Sequence, residues 1–186
     1  MDRLFAFTGG THGDWDVCSL ATLVGDGLEL PQRLAVAPTA LDDTGSPNGP
    51  VAWQLRGVMS NERYVAAEER AGLQRVQAGL GRAEATFASM IPIRKSQAWW
   101  ALAQDERRAI LEERSHHIAI GKRYLPAIAR RLYHCRDLGQ PFDFITWFEF
   151  APENSGAFED LLGHLRASEE WRYIDREVDV RLRKAA

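Results

Sequence analysis

Alternation and helical spacing divide the chain into elements before any single residue is weighed. Residues 4–8 (LFAFT) form a short apolar run stopped by Gly9-Gly10 and predict a strand. Residues 37–50 (APTALDDTGSPNGP) concentrate Pro, Gly, Asp and Ser and predict a loop. Val51, Trp53, Leu55, Gly57 and Met59 then alternate with Ala52, Gln54, Arg56 and Val58, the period of a half-buried strand. From Asn61 to about Leu80 the period turns helical, with Leu73, Val76, Gln77 and Leu80 on one stripe. Gln77 is thus a polar group in an apolar face. A buried amide needs a hydrogen-bond partner, which a core backbone group or a functional site would supply.

The second half is more regular. Residues 90–93 (MIPI) read as an edge strand or a strand start, because Pro92 cannot donate to a ladder. A helix is expected over residues 97–117. A strand follows Pro126, with Ile128, Arg130, Leu132 and His134 on one face. Asp137-Leu138-Gly139-Gln140-Pro141 makes a turn, and residues 142–150 return as an aromatic strand. Asn154 or Ser155 is the expected cap of the next helix, whose stripe is Phe158, Leu161, Leu162 and Leu165 and whose first turn holds Glu159 and Asp160. Ile174, Arg176, Val178, Val180 and Leu182 alternate in a last strand. With residues 90–93 in front, this is a β-α-β-β-α-β, ferredoxin-like order. The fold class is α+β, with residues 1–85 as a shortened N-terminal half and residues 86–186 as the complete C-terminal unit.

At 186 residues and 45% apolar content, the chain can bury a full core. A net charge of −3 argues against nucleic acid, which calls for a basic patch. The N-terminus carries no signal-peptide pattern, and no apolar run reaches membrane-spanning length. Cys18 and Cys135 lie far apart without metal-ligand spacing, which suggests reduced thiols in a cytoplasmic protein.

The candidate chemistry gathers between Glu112 and Glu149. Adjacent helical residues point about 100° apart, so only one of His116 and His117 enters a given pocket. His117 falls seven residues after Ile110, on the apolar line, whereas His116 follows Glu112 and Glu113 at ion-pairing distances. His117 is the candidate ligand; the alternative is a helix-terminal histidine favoured by the macrodipole. Arg130 is a permanent cation on an apolar strand face, suited to holding an anion and unsuited to general-base work. Its bland alternative is a cross-strand salt bridge to Asp143 or Glu149. Arg131 points to the other face. Glu169 and Glu170 would by themselves be a solvated helix end, but a carboxylate beside a ligand histidine can accept its free N–H and orient the ring.

Trp99-Trp100, His117, Arg130, LYHCRDLGQPFDFITWFEF and the EEW…DREVDVRL ending resemble the chlorite dismutase family, most closely its short, dimeric branch, over residues 64–183. The resemblance implies a homodimeric, heme b enzyme of paired ferredoxin-like units that converts chlorite to chloride and dioxygen. It implies His117 as the proximal iron ligand, Glu170 as the carboxylate bonded to its ring, Arg130 as the distal arginine and Gln77 as the distal glutamine. Trp99 and Trp100 match tryptophans beside the heme, or are core aromatics. The family also holds coproheme decarboxylases, which carry a reactive tyrosine ahead of the tryptophans and generally lack the distal arginine. Here Ile91 of the run Ile91-Pro92-Ile93-Arg94-Lys95 stands in that place and Arg130 is present, which favours chlorite as substrate. A heme sensor or carrier, or a peroxidase-like heme protein, is the alternative.

Overall fold

The computed structural model describes residues 3–40, 49–60 and 79–186. Eight strands run through it: β1 (Leu4–Gly10), β2 (Trp15–Val24), β3 (Arg33–Pro38), β4 (Val51–Met59), β5 (Phe87–Lys95), β6 (Ala129–His134), β7 (Phe144–Phe150) and β8 (Ile174–Lys184). They close into an antiparallel barrel in the order β1-β3-β2-β8-β5-β7-β6-β4. Cut between β2 and β8 and between β6 and β4, the barrel gives β4-β1-β3-β2 and β8-β5-β7-β6. Each set has the same local order, 4-1-3-2, and the second carries helices in both of its crossovers. This is the expected α+β, ferredoxin-like arrangement. Only residues 11–14 separate β1 from β2, so the first set lacks the crossover helix and is the shortened unit.

Strand alternation splits the apolar residues between two cores. Phe7, Trp15, Leu34, Leu55, Met90, Tyr133, Trp147 and Val180 fill the barrel interior. The ring centroids of Phe7 and Tyr133 lie 4.9 Å apart, edge to face, and those of Trp15 and Trp147 lie 5.4 Å apart. Truncating one of these rings to alanine costs about 3–5 kcal/mol, because so tight a packing collapses poorly. Outside the barrel, Ile91, Ile93, Phe144, Phe148 and Phe150 pack beneath the helices α3 (His117–Arg123) and α4 (Ser155–Arg166), meeting Ile120, Phe158, Leu161 and Leu162.

Several expectations change. The alternation at β4 holds; in β8, Val178, Val180 and Leu182 keep to the barrel interior, but Glu177 and Asp179 between them are buried as well, and Ile174, beyond a register shift, joins the outer core. β2 and β3 give no sequence signal: the β2–β8 ladder shifts register between Val17 and Ser19 and again between Thr22 and Val24, which scrambles the alternation. The 90–93 segment belongs to a central strand, β5, flanked by β7 and β8. Pro92 is accommodated where the β8 ladder skips from Met90↔Val180 to Ile93↔Glu177. The strand expected after Pro126 starts at Ala129, and the one expected from residue 142 starts at Phe144. Asn154 precedes α4 without a side-chain cap, and the helix starts at Ser155, so Glu159 and Asp160 fall beyond its first turn. The helix expected over residues 61–80, with Gln77, lies outside the described residues apart from its last two.

The largest change concerns residues 97–117. In place of one helix there are α1 (Gln97–Ala101), α2 (Gln104–Arg108), a π-helical turn (Ala109–Arg114) and a break at His116, whose φ of 52° is left-handed. Ser115 N donates to Ile110 O, the wide spacing of the π turn. His117 therefore opens α3 rather than closing a helix, and the seven-residue line from Ile110 does not carry through to it.

Candidate active site

The site lies on the outer face of the C-terminal unit. The left-handed turn at His116 leaves that side chain exposed and re-aims the chain, so that His117 starts α3 half-buried. Two side chains fix this start. The Glu112 carboxylate accepts the Ile118 N–H at 2.8 Å, satisfying a donor that the helix terminus leaves open. Ser115 Oγ accepts the Glu170 N–H at 2.9 Å and ties the short helix Glu169–Tyr173 to the same turn.

His117 Nδ1 lies 2.7 Å from Glu170 Oε2, and Lys95 Nζ lies 2.6 Å from Glu170 Oε1. Burial alone would raise the Glu170 proton affinity. The Lys95 ammonium and the His117 ring outweigh it and hold the carboxyl well below the usual carboxylate range. An ionised carboxylate only accepts, so His117 Nδ1 carries the proton and donates it, leaving Nε2 as the ring's lone-pair nitrogen. Lys95 packs its ammonium 4.5 Å from the centre of the Trp99 ring. Trp99 is fully buried, and its indole N–H has no hydrogen-bond partner among the described residues.

Arg130 extends from β6 on the outward face, as its alternation with the inward-facing Tyr133 requires. A Cβ added at Gly121 would lie 3.3 Å from Arg130 Nη1, so the guanidinium packs against α3 one turn after His117. Burial lowers the Arg130 proton affinity and the Glu112 carboxylate opposes that, yet an arginine keeps its charge at neutral pH. Among the described residues no ion pair joins Arg130 to Asp143 or Glu149. Arg130 faces Phe148 in the ladder, the Asp143 carboxylate takes the Lys95 N–H, and Glu149 accepts from Trp147 Nε1 and Gly81 N. Trp100 is half-buried, stacked on Phe144 and covered by the Arg136 guanidinium at 3.8 Å from its ring centre.

The structure thus brings together His117, Glu170, Trp99, Trp100 and Arg130. Gln77 is outside the described residues. Lys95, Ser115 and Glu112 carry no sequence signal as parts of the site. The donor set suits a heme. It offers one imidazole nitrogen, and no cluster of three metal-ligating side chains lies among the described residues, so a metal held here would need donors brought with it, as a heme iron has. The orphaned Trp99 N–H asks for an acceptor, and the face of Phe144, Phe148, Leu132 and Trp100 is apolar. A cavity of about 300 Å³ elsewhere, over β1, β3 and β4, is lined by small residues such as Ala6, Thr8 and Ala35 together with His12, Gln54 and Arg56.

Residues 50–183 match the family model described as chlorite dismutase. The chain belongs to the chlorite dismutase family. The chlorite dismutase of Ideonella dechloratans is 31% identical over 125 residues, 66% of this chain and 42% of that enzyme's length. The chain therefore spans less than half of that relative. The crystal structure of the dimeric chlorite dismutase of Nitrobacter winogradskyi superposes with a TM-score of 0.89 at 57% identity, covering 97% of this chain and 99% of that one. A chlorite dismutase variant of Candidatus Nitrospira defluvii shares 22% identity at a TM-score of 0.71 over 98% and 90% of the two chains, a likeness of fold alone. No helix among the described residues is long and apolar enough to cross a membrane.

Proposed function

We propose that this chain is a heme b enzyme, a chlorite dismutase that converts chlorite to chloride and dioxygen, with His117 as the iron ligand. The observation that carries the reading is the line Lys95–Glu170–His117, which fixes the imidazole tautomer and leaves Nε2 for a metal. Bound heme supplies the redox centre at which chlorite is consumed. The protein supplies the ligand, its orientation and a charge. Glu170 holds the His117 ring and raises its basicity, and Lys95 keeps Glu170 ionised in a buried place.

Arg130 holds the substrate anion and its oxychlorine fragment near the reacting centre. A fixed cation in a low-dielectric setting does this with little reorganisation. The family resemblance gives Gln77 the role of distal glutamine. By the family resemblance, Trp99 and Trp100 would flank a bound heme. The reading extends to assembly and place: a homodimer, after the dimeric relative, in the cytoplasm, where the free thiols Cys18 and Cys135 stay reduced. We also divide the chain at residues 85 and 86 into its two ferredoxin-like units.

The test is an oxygen electrode with heme-loaded protein. Dioxygen and chloride released in equal amounts from chlorite is the expected result. A Soret band without dioxygen would overturn the activity and leave a heme sensor, carrier or peroxidase-like protein.

A further inference from the structure

Lys95 stands where β5 leaves its ladder. The pairing with β8 shifts between Arg94 and Lys95, and the pairing with β7 ends at Ile93↔Phe144. Such an irregularity re-aims a side chain and frees backbone groups from the sheet. The Lys95 N–H released there is taken at 2.7 Å by Asp143 Oδ2. Asp143 is itself buried, and its backbone is fixed on both sides: its N–H donates to Ile93 O, and its carbonyl accepts from Cys135 N and Arg136 N. The same Oδ2 accepts the Trp100 indole N–H at 3.1 Å, and Oδ1 receives Arg136 Nη1 at 3.4 Å.

One buried carboxylate thus grips both a wall of the site, Trp100, and the bend that aims Lys95 at Glu170. We propose that Asp143 is a positioning residue of the site: by holding the Lys95 backbone, it keeps Glu170 in the orientation that accepts the His117 Nδ1 proton. The proposal rests on the reading of His117 as the iron ligand for its consequence at the metal, but not for the coupling itself. Without Asp143, the Lys95 N–H is a buried donor lacking its acceptor. The bend relaxes, Nζ leaves Oε1, and Glu170 rotates away from the ring.

Asp143→Asn is the first variant, because it keeps the shape but removes the charge, and its one oxygen cannot serve both Arg136 and the Lys95 and Trp100 donors that share Oδ2. Two readouts follow it in the full-length protein. In the heme-free chain, exchange of the His117 Nδ1 proton, read by nuclear magnetic resonance, is expected to quicken on the order of tenfold, as for a lost bond to a charged group. In the heme-loaded ferrous protein, the iron–histidine stretching band is expected to move part of the way toward its position in Glu170→Gln.

Two further variants separate positioning from general loosening of the loop. Arg136→Ala removes the third partner of Asp143 and is expected to leave both readouts alone. In a Lys95→Met background, Asp143→Asn is expected to add nothing. Unchanged exchange and an unmoved band in Asp143→Asn would overturn the proposal, as would the same shifts in Arg136→Ala. Quickened exchange in a chain that shows no Soret band with heme would instead break the heme reading and leave the coupling standing.

Discussion

The two units share one strand order and differ in what their outer faces carry. Over β1, β3 and β4, the N-terminal face is built mostly of small side chains, Ala6, Thr8, Gly10 and Ala35, with Gln54 donating to Thr8 at 3.0 Å, Arg56 half-buried in the lining and His12 exposed. Over β5, β6 and β7, the C-terminal face holds a buried ammonium, a buried carboxylate, a histidine and an arginine beside apolar rings. Identical topology therefore does not make a site. What makes one is charge taken out of water and satisfied there, and among the described residues it is the C-terminal unit that carries helices over its sheet.

The largest effect on the fold should come from opening that charge pair. Lys95→Met leaves Glu170 buried beside the histidine alone and is expected to cost about 3–5 kcal/mol in chemical denaturation. Arg56→Met, at the rim of the N-terminal cavity, should cost far less. Equal losses would erase the contrast between the faces.

Arg130→Ala should keep heme and lower chlorite turnover about a hundredfold, the scale on which a single charge-stabilising group acts. Arg131, its neighbour on the other strand face, serves as the control and should leave dioxygen release within about twofold when changed to alanine. A turnover unchanged in Arg130→Ala would remove the arginine from the mechanism.

Acid titration sharpens the contrast further. The folded-state proton affinity of Glu170 is depressed, so its ionisation stabilises the fold above the ordinary glutamate range, and that stability is lost as pH falls below it. Comparing unfolding curves of the wild type and Glu170→Gln should show the wild-type advantage shrinking as pH drops from about 5 downward. An advantage constant across that window would mean that the carboxylate is not held ionised by Lys95 and His117. The smallest effect is expected from Gly121→Ala. The new Cβ meets only the movable tip of Arg130, so stability should change by about 1 kcal/mol or less. Turnover is the more sensitive measure of the displaced guanidinium.

Much of this was legible in the sequence, though unevenly. β4 and β8 announced themselves because each has one face in the barrel and the other outside, which is what alternation records. β2 stayed hidden because its two register shifts break that record. The helical phase that favours His117 over His116 is not kept by the folded chain, because the π turn and the left-handed His116 reset it; the family resemblance is the firmer ground for His117. Lys95 was invisible as a site residue because a lysine at a strand end is ordinarily solvated, and only the packing of Trp99, Glu170 and Asp143 around it makes it otherwise. Glu170 was read through the resemblance; without it, two adjacent glutamates give no sign that Arg114 takes one at the surface and Lys95 the other inside.

The most direct test of the account is a heme titration of the full-length protein, with His117→Ala, His12→Ala and His164→Ala measured beside the wild type. One heme per chain with a histidine-ligated Soret spectrum is expected in the wild type and in the His12 and His164 variants, with loss of that spectrum in His117→Ala alone. A wild-type spectrum persisting in His117→Ala would contradict it.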